Sequence, residues 1–399
     1  MRKPTCRSMS GPLEPFAVGF WEELAEQGYS GWTAEGHLQL MADLSRWMDV
    51  QGLAPDEIST ERVELFLADR RARGRKRRLS LRGLAPLLTY LRGLGVAPPP
   101  LTTVDGPFEE LLEEFVAYLR DERGLAESTV RRYRDFARML LSSRQDGLEG
   151  VGSLSAEELG EFMLARWGQY SASMFNWVAA GLRSFLRFLH VRGYTATSLA
   201  ATVPTGPSWR GGSISRAVAP GVAARLLASC DRRTSLGRRN FAILTVLWRL
   251  GLRAGEVAAL TVDDIDWRAG ELHVTGKGGR QDRLPLPTDV GQAIADYCRR
   301  GRPHSGDRHV FLQAQAPYRG LARTTVGSVV AAACDRAGLP RIRPHALRHT
   351  AASGMRAAGA PLFEIGQVLR HCDTATTALY AKDDRDALAV LARPWPGAA

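Results

Sequence analysis

The chain has 399 residues, of which 45% are hydrophobic and 24% charged, a composition typical of globular proteins with two or three domains. Its formal net charge of +11 favours a polyanionic partner, because cations that neutralise phosphates release counterions. The lack of a long apolar run, of a signal peptide and of paired cysteine spacing argues against membrane and disulfide-rich secreted proteins, so we expect a cytoplasmic location.

Two segments rich in proline, glycine and serine divide the chain, Ala97–Pro107 and Thr205–Ser213. They predict three domains, over residues 1–100, 107–205 and 218–399. Each of these segments is long enough to bury a core of its own.

The N-terminal segment has helical periodicity, and its pattern resembles that of the middle segment. The matched positions are Gly28 and Gly124, Thr33 and Thr129, Leu40 and Phe136, Leu44 and Leu140, Gly83 and Gly181, Leu84 and Leu182, Leu88 and Leu186, Leu91 and Leu189, and Gly95 and Gly193. The pattern favours a duplicated or convergent helical module. The alternative is that any two four-helix domains share such spacing.

A basic run, Arg70–Arg78, lies between two predicted helices of the N-terminal segment. Such a run is either a solvated or disordered stretch, or a surface that contacts a polyanion.

The middle segment is predicted to be helical. Ser128 and Thr129 are expected to cap one amphipathic helix, and Ser155–Glu158 has the sequence of a capping box before another. Apolar residues at helical spacing from Val178 to Leu189 predict a third helix.

The C-terminal segment combines helices and strands. Helices are predicted from Pro220 to Leu227, from Phe241 to Leu250 and from Arg343 onward. Glu271–Thr275 and Arg283–Leu286 alternate like strands and are joined by a glycine-rich turn, which predicts a β-hairpin.

Six residues of this segment together suit the chemistry of a phosphodiester. They are Arg253, Lys277, His345, Arg348, His371 and Tyr380. Arginine side chains bind the non-bridging oxygens with planar forks, a phenol can attack phosphorus, and lysine or imidazole can move protons.

The order and wording of these motifs resemble the tyrosine recombinase (phage integrase) family. The motifs are Leu-Gly-Leu-Arg253, Gly-Lys277-Gly-Gly, His345-Ala-Leu-Arg348 and Leu-Arg-His371, followed by Tyr380. The similarity extends over roughly Pro220 to Leu391, with a weaker helical likeness back to about Phe108. It implies a multidomain protein in which all-α DNA-binding domains precede an α+β catalytic domain with a small antiparallel sheet.

The resemblance also implies a role for each site residue. Tyr380 would attack the scissile phosphate to give a 3′-phosphotyrosyl link, and Lys277 would protonate the leaving 5′-oxygen. Arg253 and Arg348 would hold the non-bridging oxygens. His345 would shuttle a proton, His371 would donate a hydrogen bond to a phosphate oxygen, and Glu256 would orient an arginine or a histidine. Neither a metal, a nucleotide nor another cofactor is implied.

Some residues depart from the family pattern or compete with it. Arg370 stands where a glycine often precedes the late histidine, which would perturb the turn or add a phosphate contact. His349 is expected to point away from the site, and Cys372 has no second ligand at zinc spacing. Three aspartates suggest a two-metal nuclease, but turn and cap roles are favoured for them. They are Asp263, Asp264 and Asp266.

The sequence therefore predicts a site-specific recombinase of the integrase or transposase type that acts on double-stranded DNA as a synaptic homo-tetramer. A partner recombinase could share the work. The basic run is then expected to contact the DNA backbone through Arg75, Lys76, Arg77 and Arg78. The alternatives are a Xer-type resolvase of chromosome dimers, a type IB topoisomerase-like enzyme, and a catalytically silent DNA-binding regulator.

Overall fold

The computed structural model describes residues 9–75, 78–99, 106, 108–144, 147–206, 218–219, 221–276 and 279–370. Contacts between Cα atoms group the chain into two compact units. One combines Met1–Pro100 with Ser213–Ala399, and the other is Leu101–Gly212.

The N-terminal segment contains a four-helix cluster. Its helices are α1 (Ala17–Glu26), α2 (Gly31–Gln51), α3 (Thr60–Ala72) and α4 (Leu81–Gly93). The serine hydroxyls at the starts of α2 and α3 accept backbone N–H groups, Ser30 from Thr33 and Ser59 from Arg62. These caps satisfy donors that the first helical turn leaves unpaired. Phe20, Met41, Phe66 and other apolar side chains from these helices form one buried cluster.

The second unit also consists mainly of four α-helices in its described part. They are α5 (Glu109–Ala117), α6 (Glu127–Leu141), α7 (Ala156–Leu164) and α8 (Ala172–Val191). The predicted capping box is confirmed, since Ser155 and Glu158 exchange side-chain-to-backbone hydrogen bonds at the start of α7. The predicted cap of α6 is wrong. Ala126 is the N-cap, and its carbonyl accepts the N–H of Thr129, so Ser128 and Thr129 already lie inside the helix.

The two helical clusters share backbone detail at the matched positions. Gly28 and Gly124, before the second helix of each cluster, both have positive φ, at 83° and 57°. Gly95 and Gly193, after the fourth helix, also have positive φ, at 70° and 81°. The matched apolar positions are buried in both clusters. This agreement supports a shared four-helix plan and is consistent with duplication as well as convergence.

The C-terminal segment has a helical core with a small sheet. Its elements are α9 (Val222–Ala228), α10 (Ser235–Arg249), α11 (Ala254–Ala259), β1 (Ile265–Asp266), β2 (Glu271–Thr275), β3 (Gln281–Pro285), α12 (Thr288–Arg300), α13 (Arg323–Arg336), α14 (Pro344–Ala357) and α15 (Leu362–Val368). The predicted hairpin is confirmed as the antiparallel pair β2–β3, although β3 begins two residues earlier than expected. The short strand β1, which the sequence analysis missed, completes an antiparallel sheet of order β1-β2-β3.

Buried apolar side chains form a separate large cluster in each of the three predicted domain segments. The contact grouping, however, places 1–100 and 213–399 in one unit, in which the Tyr318 N–H donates to the carbonyl of Gln27 at 3.1 Å. The three-domain division over 1–100, 107–205 and 218–399 thus stays a prediction.

Candidate active site

A glycine turn after α10 delivers Arg253. Gly251 has a left-handed φ of 59°, which suits glycine at the end of a helix. A Cβ at this position would also lie 2.6 Å from the Cδ2 atom of Leu369. The next two residues bury Leu252 and place Arg253 as the N-cap of α11, with its side chain 39% exposed. The turn therefore leaves the Arg253 side chain partly exposed, while the neighbouring Leu252 packs into the core.

Glu256 holds this arginine in place. Its Oε2 atom accepts the backbone N–H of Arg253 at 2.8 Å, and its Oε1 atom accepts the Nη1 of the same residue at 2.8 Å. Glu256 is only 7% exposed, so its carboxylate depends on protein partners rather than on water. The local spacing of three residues makes this contact possible, since Glu256 lies in the first turn of α11.

Arg348 lies inside the protein and links three segments. Pro344 occupies the first turn of α14, so His345 and Arg348 share a face one turn into the helix. Arg348 is 1% exposed. Its Nη1 donates to the carbonyl of Gly251 at 2.5 Å, and its Nη2 donates to the carbonyl of Leu369. These two bonds use two of the N–H donors of the guanidinium and fix its position inside the protein.

His345 is neutral at neutral pH. Burial lowers the pKa of His345 to about 4, and the neighbouring His349 and the cations Arg348 and Arg253 add to this shift. The residue as a whole is nonetheless exposed to solvent. A neutral imidazole can accept a proton, which is the state that a proton shuttle requires.

The expectation that His349 points away from the site is wrong. Its ring lies edge-on to the ring of His345, with 4.7 Å between the two centroids. The two residues are four apart on α14, which puts their side chains on the same face of the helix. His349 is buried and so packs against His345 from inside the protein.

Arg370 is the site residue whose role the sequence analysis did not identify. Its backbone has a left-handed φ of 55°, the conformation that a glycine adopts easily. The side chain turns inward, and its Nη2 donates to the Oε2 atom of Glu256 at 2.5 Å. Its Nε lies 4.0 Å from the Oδ2 atom of Asp282 on β3. Burial lowers the pKa of Arg370, while the nearby Glu256 carboxylate opposes that shift.

Three of the predicted catalytic residues lie outside the described residues, namely Lys277, His371 and Tyr380. The strands on either side of Lys277 are described, and they pair up to Thr275 and Gln281. The described part of the candidate site thus brings Arg253, Glu256, His345 and Arg348 close together, and it also contains Arg370.

Asp264 and Asp266 have cap and turn roles, as predicted, whereas Asp263 does not. Asp264 Oδ2 accepts the N–H of Thr261 at 2.7 Å, and Asp266 Oδ1 accepts two backbone N–H groups of the turn that follows. Asp263 forms an ion pair with Arg308. Each carboxylate has a partner that organises the chain around β1.

The basic segment of the N-terminal helical cluster has mixed surroundings. Arg75 is exposed, whereas Arg78 donates to the carbonyl of Thr33 at 3.3 Å. Arg70 pairs with Asp43 in a largely buried contact. Lys76 and Arg77 lie outside the described residues. A groove of about 640 Å³ beside these arginines is flanked by Trp32, whose side chain is 73% exposed.

Comparison with known proteins places this chain in a family. The model of the phage integrase family matches residues 217–386, and the model of the phage integrase N-terminal SAM-like domain matches residues 112–193. A Sinorhizobium fredii protein described as the integrase/recombinase y4rA is 38% identical over 399 residues, which cover 98% of this chain and 97% of that protein. The chain belongs to the phage integrase family. As a tyrosine recombinase, it is a site-specific DNA recombinase.

Other matches agree with this assignment. The tyrosine recombinase XerD of Listeria monocytogenes serotype 4b is 28% identical over 278 residues, covering 68% of this chain and 93% of XerD. A lambda integrase tetramer bound to a Holliday junction has a TM-score of 0.54 at 17% identity, covering 82% of this chain and 91% of the integrase chain. This structural likeness confirms the predicted fold class of helical domains followed by an α+β catalytic domain. Within the described residues, no helix is long and apolar enough to cross a membrane.

Proposed function

We propose that this recombinase is an integrase or transposase that cuts and rejoins double-stranded DNA through Tyr380. The phenol oxygen of Tyr380 forms a bond to the scissile phosphorus while the bond from phosphorus to the 5′-oxygen breaks. The 5′-hydroxyl leaves with a proton and later attacks in reverse to rejoin a strand. The observation that supports this best is that Arg253, at the start of α11, lies near Arg348 and a neutral His345, which share one face of α14.

The two arginines supply the charge that the reaction needs. Negative charge builds up on the non-bridging oxygens as the phosphorus becomes five-coordinate, and preorganised cations stabilise that state more than the starting one. Arg253 is held by Glu256 and Arg348 by two carbonyls, so neither has to be ordered at the moment of reaction. No metal or cofactor takes part in this scheme.

His345 and Lys277 are proposed to move the protons. A free phenol with a pKa near 10 is ionised in only about one molecule in a thousand at pH 7, so Tyr380 needs a proton acceptor. Neutral His345 can serve as that acceptor. The chain uses arginine for nearly all of its cations, with lysines only at positions 3, 76, 277 and 382. A lysine at 277 fits a proton donor, because an arginine does not release its proton in this pH range.

Strand exchange between two duplexes involves four strands, so we propose a homo-tetramer on synapsed DNA, with one Tyr380 for each strand. The lambda integrase chain of similar fold forms a tetramer on a Holliday junction. The enzyme would act in the cytoplasm, where the DNA is, and a partner recombinase could replace some of the subunits.

The extent of the sequence matches favours the integrase type over a Xer-type resolvase. The y4rA match runs over 98% of this chain, whereas the XerD match covers 68% of it. Joining of a site-bearing circle to a second DNA would support the integrase type. Activity restricted to resolving dimers of a circle would instead support the Xer type.

The nucleophile is tested with Tyr380→Phe on a nicked suicide substrate that traps the covalent adduct. The variant should bind DNA like the wild type and form no adduct, since phenylalanine has no oxygen to attack with. Tyr318→Phe is the matched control and should keep the adduct. Cleavage should also persist in excess EDTA.

The suicide-substrate assay and a plasmid-relaxation assay together separate the remaining alternatives. An adduct in Tyr380→Phe would place the nucleophile elsewhere, and strict dependence on added Mg²⁺ would contradict catalysis by side-chain cations alone. Relaxation of a plasmid that lacks any recombination site would indicate a topoisomerase. No adduct in the wild type would indicate a silent regulator.

A further inference from the structure

One buried carboxylate lies between two arginines in the described part of the site. Glu256 binds Arg253 through Oε1 and binds Arg370 through Oε2, at 2.8 Å and 2.5 Å. The side chains of Glu256 and Arg370 are both buried, whereas that of Arg253 is partly exposed. Glu256 and Arg370 are 114 residues apart in sequence, so only the fold brings them together.

We infer that Arg370 is a positioning residue: by sharing Glu256, it keeps the guanidinium of Arg253 available to the scissile phosphate. The inference rests on the proposed function, in which Arg253 holds a non-bridging oxygen. Arg370 itself would act through Glu256 and not by touching the DNA.

The argument follows from the charges. Arg253 and Glu256 alone would form a neutral pair, and any movement of Arg253 toward a phosphate would leave a buried carboxylate without its partner, which is unfavourable. With Arg370 also bound to Glu256, the carboxylate keeps a cation when Arg253 moves. The three charges then sum to one positive charge at the place where a phosphate would bind.

Asp282 offsets this effect only in part, because it shares its charge between two arginines. Its Oδ2 atom lies 4.0 Å from the Nε of Arg370, while its Oδ1 atom accepts a hydrogen bond from Arg280 at 3.1 Å. Among the described residues, Glu256 is the one acceptor that the Arg370 side chain reaches by a hydrogen bond.

The backbone conformation of Arg370 supports the same inference. A non-glycine residue with a φ of 55° is less stable than a glycine would be, and such conformations persist where the surroundings hold them. Glycine at this position would relieve the backbone and lose the ion pair. Arg370→Gly therefore separates the strain of the left-handed backbone from the ion pair with Glu256, because it relieves the first and removes the second.

The test uses single-turnover cleavage of the suicide substrate by the full chain at saturating DNA. Arg370→Gly should slow cleavage by about 10- to 100-fold, the usual effect of losing a residue that orients a site residue. Its affinity for DNA should stay near that of the wild type. Its melting temperature should fall less than that of Arg370→Ala, which loses the same ion pair without relieving the backbone. Arg370→Lys should recover part of the rate, since lysine restores the charge.

Adding Glu256→Gln to Arg370→Gly is the decisive variant. The neutral amide no longer competes for Arg253, so the double variant should cleave faster than Arg370→Gly alone. A merely structural role for Arg370 predicts no such rescue. Arg341→Ala, which removes an exposed ion pair with Asp335, is the control and should cleave like the wild type.

Three outcomes would overturn the inference. Arg370→Gly could cleave at the wild-type rate, it could bind DNA more weakly with an unchanged rate once bound, or the double variant could be no faster than the single one. Each of these requires an active wild type. If the wild type formed no adduct, or if Tyr380→Phe still formed one, the proposed function itself would fail instead.

Discussion

The arginines of the candidate active site and those of the N-terminal basic segment differ in how they are held. Arg348 is buried and donates hydrogen bonds to two backbone carbonyls, and Arg370 is buried and donates to a carboxylate. Arg75, in contrast, is exposed to solvent. Fixed cations stabilise a transition state because they need no reordering, and exposed cations contribute binding that salt weakens. Under the proposed function, the same residue type would serve two purposes, and the surroundings of each side chain would decide which.

The largest effect is expected for Arg253 and Arg348, the two arginines proposed to bind the scissile phosphate. Arg253→Ala and Arg348→Ala should each lower both cleavage and ligation by roughly 100-fold or more, since both steps pass through the same charged phosphorus. Arg348→Ala should also lower the melting temperature, because it leaves the carbonyls of Gly251 and Leu369 without their donor. Arg253, at the surface, should not have this second effect. Single-turnover rates in both directions and thermal unfolding measure the two properties.

An equal loss of stability in Arg253→Ala and Arg348→Ala would contradict this prediction. Arg348→Lys provides a matched check, because lysine keeps the charge but lacks the planar fork that reaches two acceptors. It should remain less stable than the wild type.

The next effect concerns Lys277. Lys277→Ala should slow cleavage by about 100-fold or more, as expected when a general acid is removed. A substrate with sulfur at the 5′-bridging position should restore the rate, because a thiolate leaves without a proton. Cleavage rates on the oxygen and sulfur substrates are compared for the wild type and the variant. Without rescue by sulfur, Lys277 would not be the general acid.

A smaller effect is expected in the N-terminal segment. Neutralising Arg75, Lys76, Arg77 and Arg78 should flatten the slope of log K against log salt by about 0.9 for each phosphate that the protein no longer neutralises. The change should be similar on different flanking sequences, because side chains that bind phosphate do not read the bases. Binding is measured over a salt series with the same DNA.

Single variants sharpen this comparison. Arg75→Gln should account for more of the change than Arg78→Gln, because Arg78 is bound to the carbonyl of Thr33 and Arg75 is exposed. An unchanged slope in the fourfold variant would make this segment a protein-interaction surface instead.

The smallest effect is on stability as a function of pH. The folded protein lowers the pKa of His345 from 6.5 to about 4, so between these values the unfolded chain binds the proton first. The free energy of unfolding should therefore fall as pH drops from about 6.5 towards 4, and this contribution should be constant above 6.5. His345→Gln should show a shallower fall in denaturant titrations of the DNA-free protein. An identical pH dependence in both proteins would exclude the shift.

Local patterns predicted the elements that depend on neighbouring residues. The capping box at Ser155, the hairpin around Lys277 and the helix that begins at Pro344 each follow from residues a few positions apart. The start of α6 was misplaced, because Ala126 takes the N-cap position through its extended backbone although two hydroxyl residues follow closely. Local spacing alone does not decide between neighbouring cap positions.

The remaining site contacts could not be predicted because they join distant parts of the chain. Arg348 and Gly251 are 97 residues apart, and Arg370 and Glu256 are 114 apart. The one local signal at Arg370 was its position where glycine is common, from which the sequence predicts only a perturbed turn or an added phosphate contact. The inward direction of its side chain depends on the placement of α11, which no short pattern contains.

The two carbonyls that Arg348 binds lie on either side of it in the sequence, so they emerge at different times during translation. Gly251 precedes Arg348 by 97 residues and Leu369 follows it by 21, so the second carbonyl emerges from the ribosome after the arginine does. Tyr380 emerges later still. A nascent or truncated chain that ends between Arg348 and Leu369 carries both proposed catalytic arginines but lacks the second carbonyl and the proposed nucleophile. Under the proposed scheme, copies of this protein that end before Tyr380 therefore cannot cleave DNA.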